Sequence, residues 1–280
     1  MHVLPDKRKP DFRIAMYLIQ LILILILSGG SCKQVNDGLP LEQTNSNQIL
    51  EYRDSFPSWI NIDYVTGRFD PMLHPDFAII PLKYADKKGQ YIRKDVLKAF
   101  TAMFEAAGKD GIKLQIRSAT RNFDRQKMIW ENKWTGKTLL ENGINALKEI
   151  NDPVKRAKKI LEYSSMPGTS RHHWGTDIDL NAFENEWFEK GEGLRLYRWM
   201  LEHASEYGFC QPYTSFSDER RTGYFEEKWH WTYMPVSSIL TNYAALKLKN
   251  EMISGFEGAE TAIQIGIVEN YVLGIHPNCK

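Results

Sequence analysis

Apolar and polar positions divide the chain into stretches of different period. From Ile14 to Leu27 the apolar run is broken only by Tyr17 and Gln20, and Lys7, Arg8, Lys9 and Arg13 precede it. Fourteen residues fall short of the roughly 20 that span a bilayer. A basic start, an apolar middle and the small residues Ser28-Gly29-Gly30-Ser31 match an export signal. Residues 33–50 are polar with turn formers and predict a tether. Four prolines among residues 51–90 predict irregular structure with one short strand. Between Tyr91 and Ala107, Ile92, Val96, Ala99, Phe100, Met103, Phe104 and Ala107 recur at helical spacing, and Gly108 ends the pattern.

Further along, Leu114 and Ile116 alternate with polar residues in a half-buried strand across 113–121, and Asn122–Lys133 resumes helical character. Residues 134–165 predict partial helix with Leu139, Leu140, Ile144, Leu147 and Ile150 on one face. A helix is expected over Leu194–Tyr207, burying Leu194, Tyr197, Leu201 and Ala204 and stopped by Gly208. A strand is expected over 223–234 and a helix near 236–250, followed by an apolar segment from Ile263 to Ile275. Helices interleaved with short strands predict an α+β fold, a small, mostly antiparallel sheet flanked by helices. The expected organisation is a signal peptide over 1–31, a tether over 32–50, a catalytic domain over 51–245 and a packed extension over 246–280.

Composition changes this picture little. A hydrophobic share of 42% supports a sizeable core, and a formal net charge of +1 gives no basic field for nucleic acid. The three cysteines, Cys32, Cys210 and Cys279, contain no CxxC pair, which argues against a thiolate metal site. In an exported chain Cys210 and Cys279 are candidates for a disulfide.

The chemistry concentrates in MPGTSRHHWGTDIDLNAF, residues 166–183, and near His230. Two histidines and a carboxylate, with one position left for water, make a catalytic zinc shell. Asp177 and Asp179 would share a face of a strand, and Gly175 permits the bend that returns a preceding histidine to the same centre. Glu227, three residues before His230, is placed to take a proton from the attacking water. His173 and Glu226 are the local rivals of His172 and Glu227. His74, His203 and His276 read as structural, and Trp130, Trp134 and Trp199 as core.

Ser170-Arg171-His172-His173-Trp174-Gly175-Thr176-Asp177-Ile178-Asp179 resembles the SxHxxGxAxD signature of the VanY-type zinc D-alanyl-D-alanine carboxypeptidases. Glu227-Lys228-Trp229-His230 resembles that family's ExxH element. Ser118-Ala119-Thr120-Arg121, followed by Gln126, resembles its SGYRS…Q element. The resemblance implies Zn2+ held by His172, Asp179 and His230, with Glu227 as general base. It implies Arg121 as substrate ligand and oxyanion partner, and Ser170 and Gln126 as pocket residues. Asp177 departs from the family's small alanine, and the roles expected of it are to bind a substrate amine, to support the metal ligands from behind or to narrow specificity. Cys32, directly after the small residues, resembles a lipoprotein processing site. The implied activity is hydrolysis of peptidoglycan stem peptides, D-Ala-D-Ala by default, by a membrane-tethered lipoprotein of the periplasm or cell surface. A wall endopeptidase or dipeptidase and a non-catalytic zinc lipoprotein are the competing readings.

Overall fold

A computed structural model describes residues 56–280. The signal segment, Cys32 and the tether lie outside the described residues. The chain passes through α1 (Ile62–Val65), β1 (Phe77–Ile79), β2 (Tyr91–Arg93), α2 (Lys94–Lys109), β3 (Ile116–Ser118) and α3 (Phe123–Trp134). It continues through α4 (Ala146–Glu149), α5 (Pro153–Ile160), β4 (Asp177–Leu180), α6 (Gly191–His203), β5 (Phe209–Cys210), β6 (His230–Tyr233), α7 (Met234–Lys247) and α8 (Thr261–Ile265). The expected α+β architecture is present: β3, β4, β6 and β5 form one antiparallel sheet in that order, and β1 and β2 pair as a separate ribbon.

The helices form where local chemistry and burial agree. Val96, Phe100, Met103 and Ala107 make the buried stripe of α2. That helix begins at Lys94 rather than Tyr91, because Tyr91, Ile92 and Arg93 are taken up in pairing with β1. Asn122 caps α3 by accepting from the Arg125 amide, and Asp152 does the same for α5 ahead of Pro153. The region 134–165 does not form the expected single apolar face. Leu139 and Leu147 are exposed while Leu140 is buried, since Leu139 and Leu140 lie ahead of the short helices α4 and α5 rather than on a helical face shared with them. In α6 the buried residues are Leu196, Trp199 and Met200, and Leu201 faces solvent. Only His230–Tyr233 of the expected 223–234 strand is extended in a ladder.

All four residues of β4 are buried, so both faces of the sheet are covered. Ile178 and Leu180 join Trp231, Phe209, α2 and α6 in one core. Asp177 and Asp179 alternate with them and point to the other side, as strand periodicity requires. There a second core is built from Trp130, Trp134, Trp174, Tyr213, Tyr224, α7 and the residues after it. The C-terminal segment supplies Leu248, Ile253, Phe256, Ala262, Ile265, Ile267, Val268, Val272, Ile275 and Cys279 to this core, and Cys279 is disulfide-bonded to Cys210 on β5. No terminal strand forms after α7; the segment is a chain of short helical turns.

Candidate metal centre

Three local structures bring the site together. Arg171–Trp174 forms a single tight turn that Gly175 ends with φ +72°, a conformation that strongly favours glycine. A Cβ at Gly175 would also lie 2.4 Å from the Phe77 ring. This reversal brings His172 back over β4. The ladder then sets Asp179 opposite His230 and Asp177 opposite Thr232. The loop after β3 is held to the turn by the Arg121 amide donating to the His172 carbonyl at 3.2 Å.

The donor atoms of His172, Asp179 and His230 all lie within 4.8 Å of one another, and all three residues are buried. His172 Nε2 is 3.2 Å from Asp179 Oδ2, and His230 Nδ1 is 3.2 Å from Asp179 Oδ1. The opposite ring nitrogens are already committed. His172 Nδ1 lies 2.7 Å from the Ala119 carbonyl, and His230 Nε2 lies 2.8 Å from Asp177 Oδ2. Both partners accept, so His172 turns Nε2 and His230 turns Nδ1 inward. Burial alone would lower the His230 pKa, but the carboxylates of Asp177, Asp179 and Glu227 hold it well above its usual value, so its inward proton is the one a cation would displace.

These inward atoms fit a cation. His172 Nε2 and Asp179 Oδ1 are buried without a hydrogen-bond partner. His230 Nδ1 faces two carboxylate oxygens, Asp179 Oδ1 at 3.2 Å and Glu227 Oε2 at 3.1 Å. Lone pairs converging on one point in a buried place are stabilised by a positive charge there. Two imidazoles and one carboxylate are the donor types of a catalytic zinc shell. Burial alone would raise the Asp179 carboxyl, but the adjacent His172 and His230 imidazoles hold it below the usual carboxylate range. His172 is shifted down, first by burial and then by the Arg121 guanidinium, which favours the neutral ring a ligand needs.

Glu227 and Arg121 flank the centre. Glu227 is buried, and burial raises its carboxyl pKa. The rival Glu226 turns outward, 3.9 Å from Lys228 Nζ. The Arg121 side chain is about one-quarter exposed, with Nη2 3.9 Å from Asp179 Oδ2. Asp179, Glu227 and Arg121 open on a cleft of about 550 Å³ walled by Tyr163, Phe183, Phe225 and Trp229. Behind it, a cavity of about 20 Å³ touches Ser170, His172, Tyr213, Glu227 and His230, room for a single small molecule. The Ser170 hydroxyl is buried without a partner beside this cavity.

Asp177 and Gln126 do not reach the cleft, and His173 packs beside the site as expected. Asp177 is fully buried, and its oxygens accept from Arg171, Thr176, Thr232 and His230, leaving nothing to offer a substrate. Gln126 is buried on α3 and donates to the Ser165 carbonyl at 2.8 Å; it lines neither cavity and supports the loop ahead of the metal turn. His173 accepts the Gly168 amide at Nε2 and approaches the Arg121 carbonyl at Nδ1, 2.6 Å away. Burial pushes its pKa down to about 3, so it is a neutral brace for the Arg121 loop.

Lys133 was not singled out by motif. It lines the cleft with Arg121, donates to Ser164 Oγ at 2.7 Å, and has its pKa lowered by burial. The aromatic wall was visible only as a generally high aromatic content. Trp130, Trp134 and Trp199 are buried, as expected of core residues.

Residues 89–236 match the family model "VanY: D-alanyl-D-alanine carboxypeptidase". The chain is 27% identical over 201 residues to a Bacillus subtilis protein named "Putative carboxypeptidase YodJ", covering 69% of this chain and 65% of that one. It is 28% identical over 142 residues to a D-alanyl-D-alanine carboxypeptidase of Enterococcus faecalis, covering 50% of this chain and 47% of the relative. The alignments thus span less than two thirds of either relative. Among solved structures, the LdcB LD-carboxypeptidase aligns with TM-score 0.46 and 24% identity, over 75% of this chain and 81% of that one. VanYB in complex with D-alanine-D-alanine aligns with TM-score 0.42 and 24% identity, over 60% of this chain and 87% of that one. With more than half its length matched by the family model, the chain belongs to the VanY D-alanyl-D-alanine carboxypeptidase family.

Proposed function

We propose that this VanY-family member is an exported zinc metallopeptidase that hydrolyses peptidoglycan stem peptides, releasing the terminal residue of a D-Ala-D-Ala ending. One observation carries the reading. The inward nitrogens and oxygens of His172, Asp179 and His230 converge beside Glu227, and Arg121 joins Asp179 and Glu227 on the same cleft. The family's description and the name of the Enterococcus relative support the substrate class.

Zinc, when bound by the three ligands, supplies a Lewis acid for the scissile carbonyl and lowers the pKa of water. Glu227 then acts as general base. Its burial raises its proton affinity, so it can accept the proton of the attacking water and pass it to the leaving amine. Arg121 extends its guanidinium toward Asp179 at the cleft, where a fixed positive charge meets the negative charge that grows on the carbonyl oxygen. The aromatic wall of Tyr163, Phe183, Phe225 and Trp229 gives the peptide an apolar surface.

Removal of a terminal residue requires a cation for the free carboxylate. Arg121 and Lys133 on one cleft favour a carboxypeptidase over an endopeptidase. Export is supported by the basic and apolar N-terminal pattern, and the Cys210–Cys279 disulfide fits an oxidising compartment. Lipidation of Cys32 would then hold the enzyme at a membrane beside the wall.

The test is incubation of the purified protein with a stem pentapeptide, following products by mass. Release of one alanine, loss of release with a chelator and recovery with zinc are expected. Glu227→Gln should bind zinc normally and lose turnover by about 10²–10⁴-fold, the usual share of a general base. Unchanged turnover in Glu227→Gln would remove the assigned base. Cleavage at an internal bond would convert the assignment to endopeptidase.

A further inference from the structure

Beneath the metal ligands runs a closed hydrogen-bonded chain. Asp177 Oδ2 accepts from His230 Nε2 at 2.8 Å and from Arg171 Nε at 3.2 Å. Its Oδ1 accepts from Thr176 Oγ1 at 2.6 Å and Thr232 Oγ1 at 2.7 Å. Arg171 Nη2 donates to Thr232 Oγ1 at 3.0 Å, and Nη1 donates to Thr241 Oγ1 at 2.9 Å. The Thr241 hydroxyl is spent on the Ser237 carbonyl, 2.7 Å away on α7. The Arg171 guanidinium also lies over the Trp174 ring, 4.5 Å from its centroid. The side chains of Arg171 and Asp177 have no solvent exposure.

The direction of every proton in this chain is fixed. Arg171 can only donate. Thr232 Oγ1 already accepts from Arg171, so its proton goes to Asp177, and with Arg171 Nε and Thr176 also on its oxygens Asp177 is the acceptor of the cluster. The proton on the Asp177 side of His230 therefore sits on Nε2, and Nδ1, on the side of Asp179 and Glu227, is the nitrogen that would be free to take a cation. A buried ion pair of this kind adds little net stability over an apolar pair of the same volume. Its distinctive effect is on the ring it holds. A carboxylate behind a metal-binding imidazole fixes the tautomer and orientation and increases ligand basicity.

We propose that Asp177, held in place by Arg171, Thr232 and Thr241, is the positioning residue that makes His230 Nδ1 a zinc ligand, and that it links the metal's affinity to α7. The inference rests on the reading of His230 as a metal ligand. It makes no use of the peptide that is cleaved.

Zinc affinity is read by competition with a chromogenic chelator on the full chain. Asp177→Asn is expected to weaken zinc binding about 10–100-fold, the range for lost partners behind a metal ligand. Thr241→Val, which removes only one distal contact of Arg171, should weaken it less. Equal affinity of Asp177→Asn and the unaltered protein, with native circular dichroism in both, would overturn the proposal. A second measurement needs no variant. In cadmium-113-loaded protein with nitrogen-15 histidine, cadmium coupling is expected to His230 Nδ1, with a slowly exchanging proton on Nε2. Coupling to Nε2 overturns the proposal. Failure of the unaltered protein to bind zinc at all would instead remove the metalloenzyme reading.

Discussion

On the proposed carboxypeptidase reading, Lys133 is the residue whose substitution best separates removal of a terminal residue from internal cleavage. It reaches the cleft from the C-terminal turn of α3, half-sheltered, with Ser164 Oγ at 2.7 Å and Glu141 3.9 Å away. A hydrogen bond to a charged group is worth about 1.5–3 kcal/mol, or roughly ten- to a hundred-fold in affinity. Lys133→Met should therefore raise KM by about that factor for a peptide with a free C-terminal carboxylate. The same substitution should hardly affect the amidated peptide, which has no anion to lose. Equal KM increases for both peptides would show that Lys133 shapes the cleft without reading the carboxylate. At this scale the sequence was informative about ligands and left support open. Motif spacing favours His172 over His173 and Glu227 over Glu226; in the structure His172 lies with Asp179 and His230, Glu227 Oε2 is 3.1 Å from His230 Nδ1, and Glu226 turns toward Lys228. The sequence leaves several roles open for Asp177, because the choice depends on which nitrogen of His230 faces it, 53 residues away. Gln126 was expected at the pocket for the same reason: a motif conveys proximity in the chain, and burial decides which atoms reach the cavity.

Among the elements, the tight turn over Arg171–Trp174 and strand β4 convert sequence spacing into the His172, Asp179 and His230 cluster. Gly175 is the joint between them, and its role was legible from the need for a bend before Asp179. What could not be read was how closely Phe77, from a different element, packs on it. Gly175→Ala places a side chain at φ +72° and within 2.4 Å of the Phe77 ring. The left-handed backbone alone costs about 1–2 kcal/mol. The variant should lose at least that much in urea unfolding, and zinc affinity should fall because His172 can no longer return over β4. Adding Phe77→Leu should recover the part due to the contact and leave the backbone part. Full recovery would show that the turn tolerates a right-handed alternative. Elements with a regular period, such as α2 and α3, were located to within three residues. The region 134–165 was misread because several short turns mimic a single apolar period when their residues are written in line. The three first residues of α2's pattern were lost to β2, since strand pairing with β1 outweighed helical periodicity there.

For the molecule as a whole, the C-terminal segment 246–280 is part of the scaffold that holds the cleft. Its residues cover Trp130, Trp134, Tyr213 and Tyr224 in the core behind the metal ligands. Trp130 Nε1 donates to the Glu257 carbonyl at 2.8 Å, Tyr224 packs edge-on to Tyr271, and backbone meets backbone so closely at Gly223 and Gly274 that a Cβ on Gly223 would lie 2.0 Å from the Gly274 carbonyl. Tyr213 in turn packs edge-on against His230, with ring centroids 4.7 Å apart. The family match ends at residue 236, so these contacts come from outside the shared region. Irregular turns concealed this role in the sequence, where only the apolar run near 263–275 hinted at burial. The Cys210–Cys279 disulfide closes the arrangement by tying the last turn to β5 across a separation of 69 residues. Constraining an unfolded loop of that length is worth about 4 kcal/mol in the chain-entropy account. Cys279→Ser, and the unaltered protein with reductant, should therefore unfold at the same lower denaturant concentration, well below that of the oxidised protein. Because the tail's apolar contacts persist in the reduced native state, zinc affinity under non-denaturing conditions should change little. A large loss of zinc on reduction, with no change in the unfolding midpoint, would mean instead that the disulfide acts on the site through Tyr213 and Tyr224 rather than on the stability of the whole.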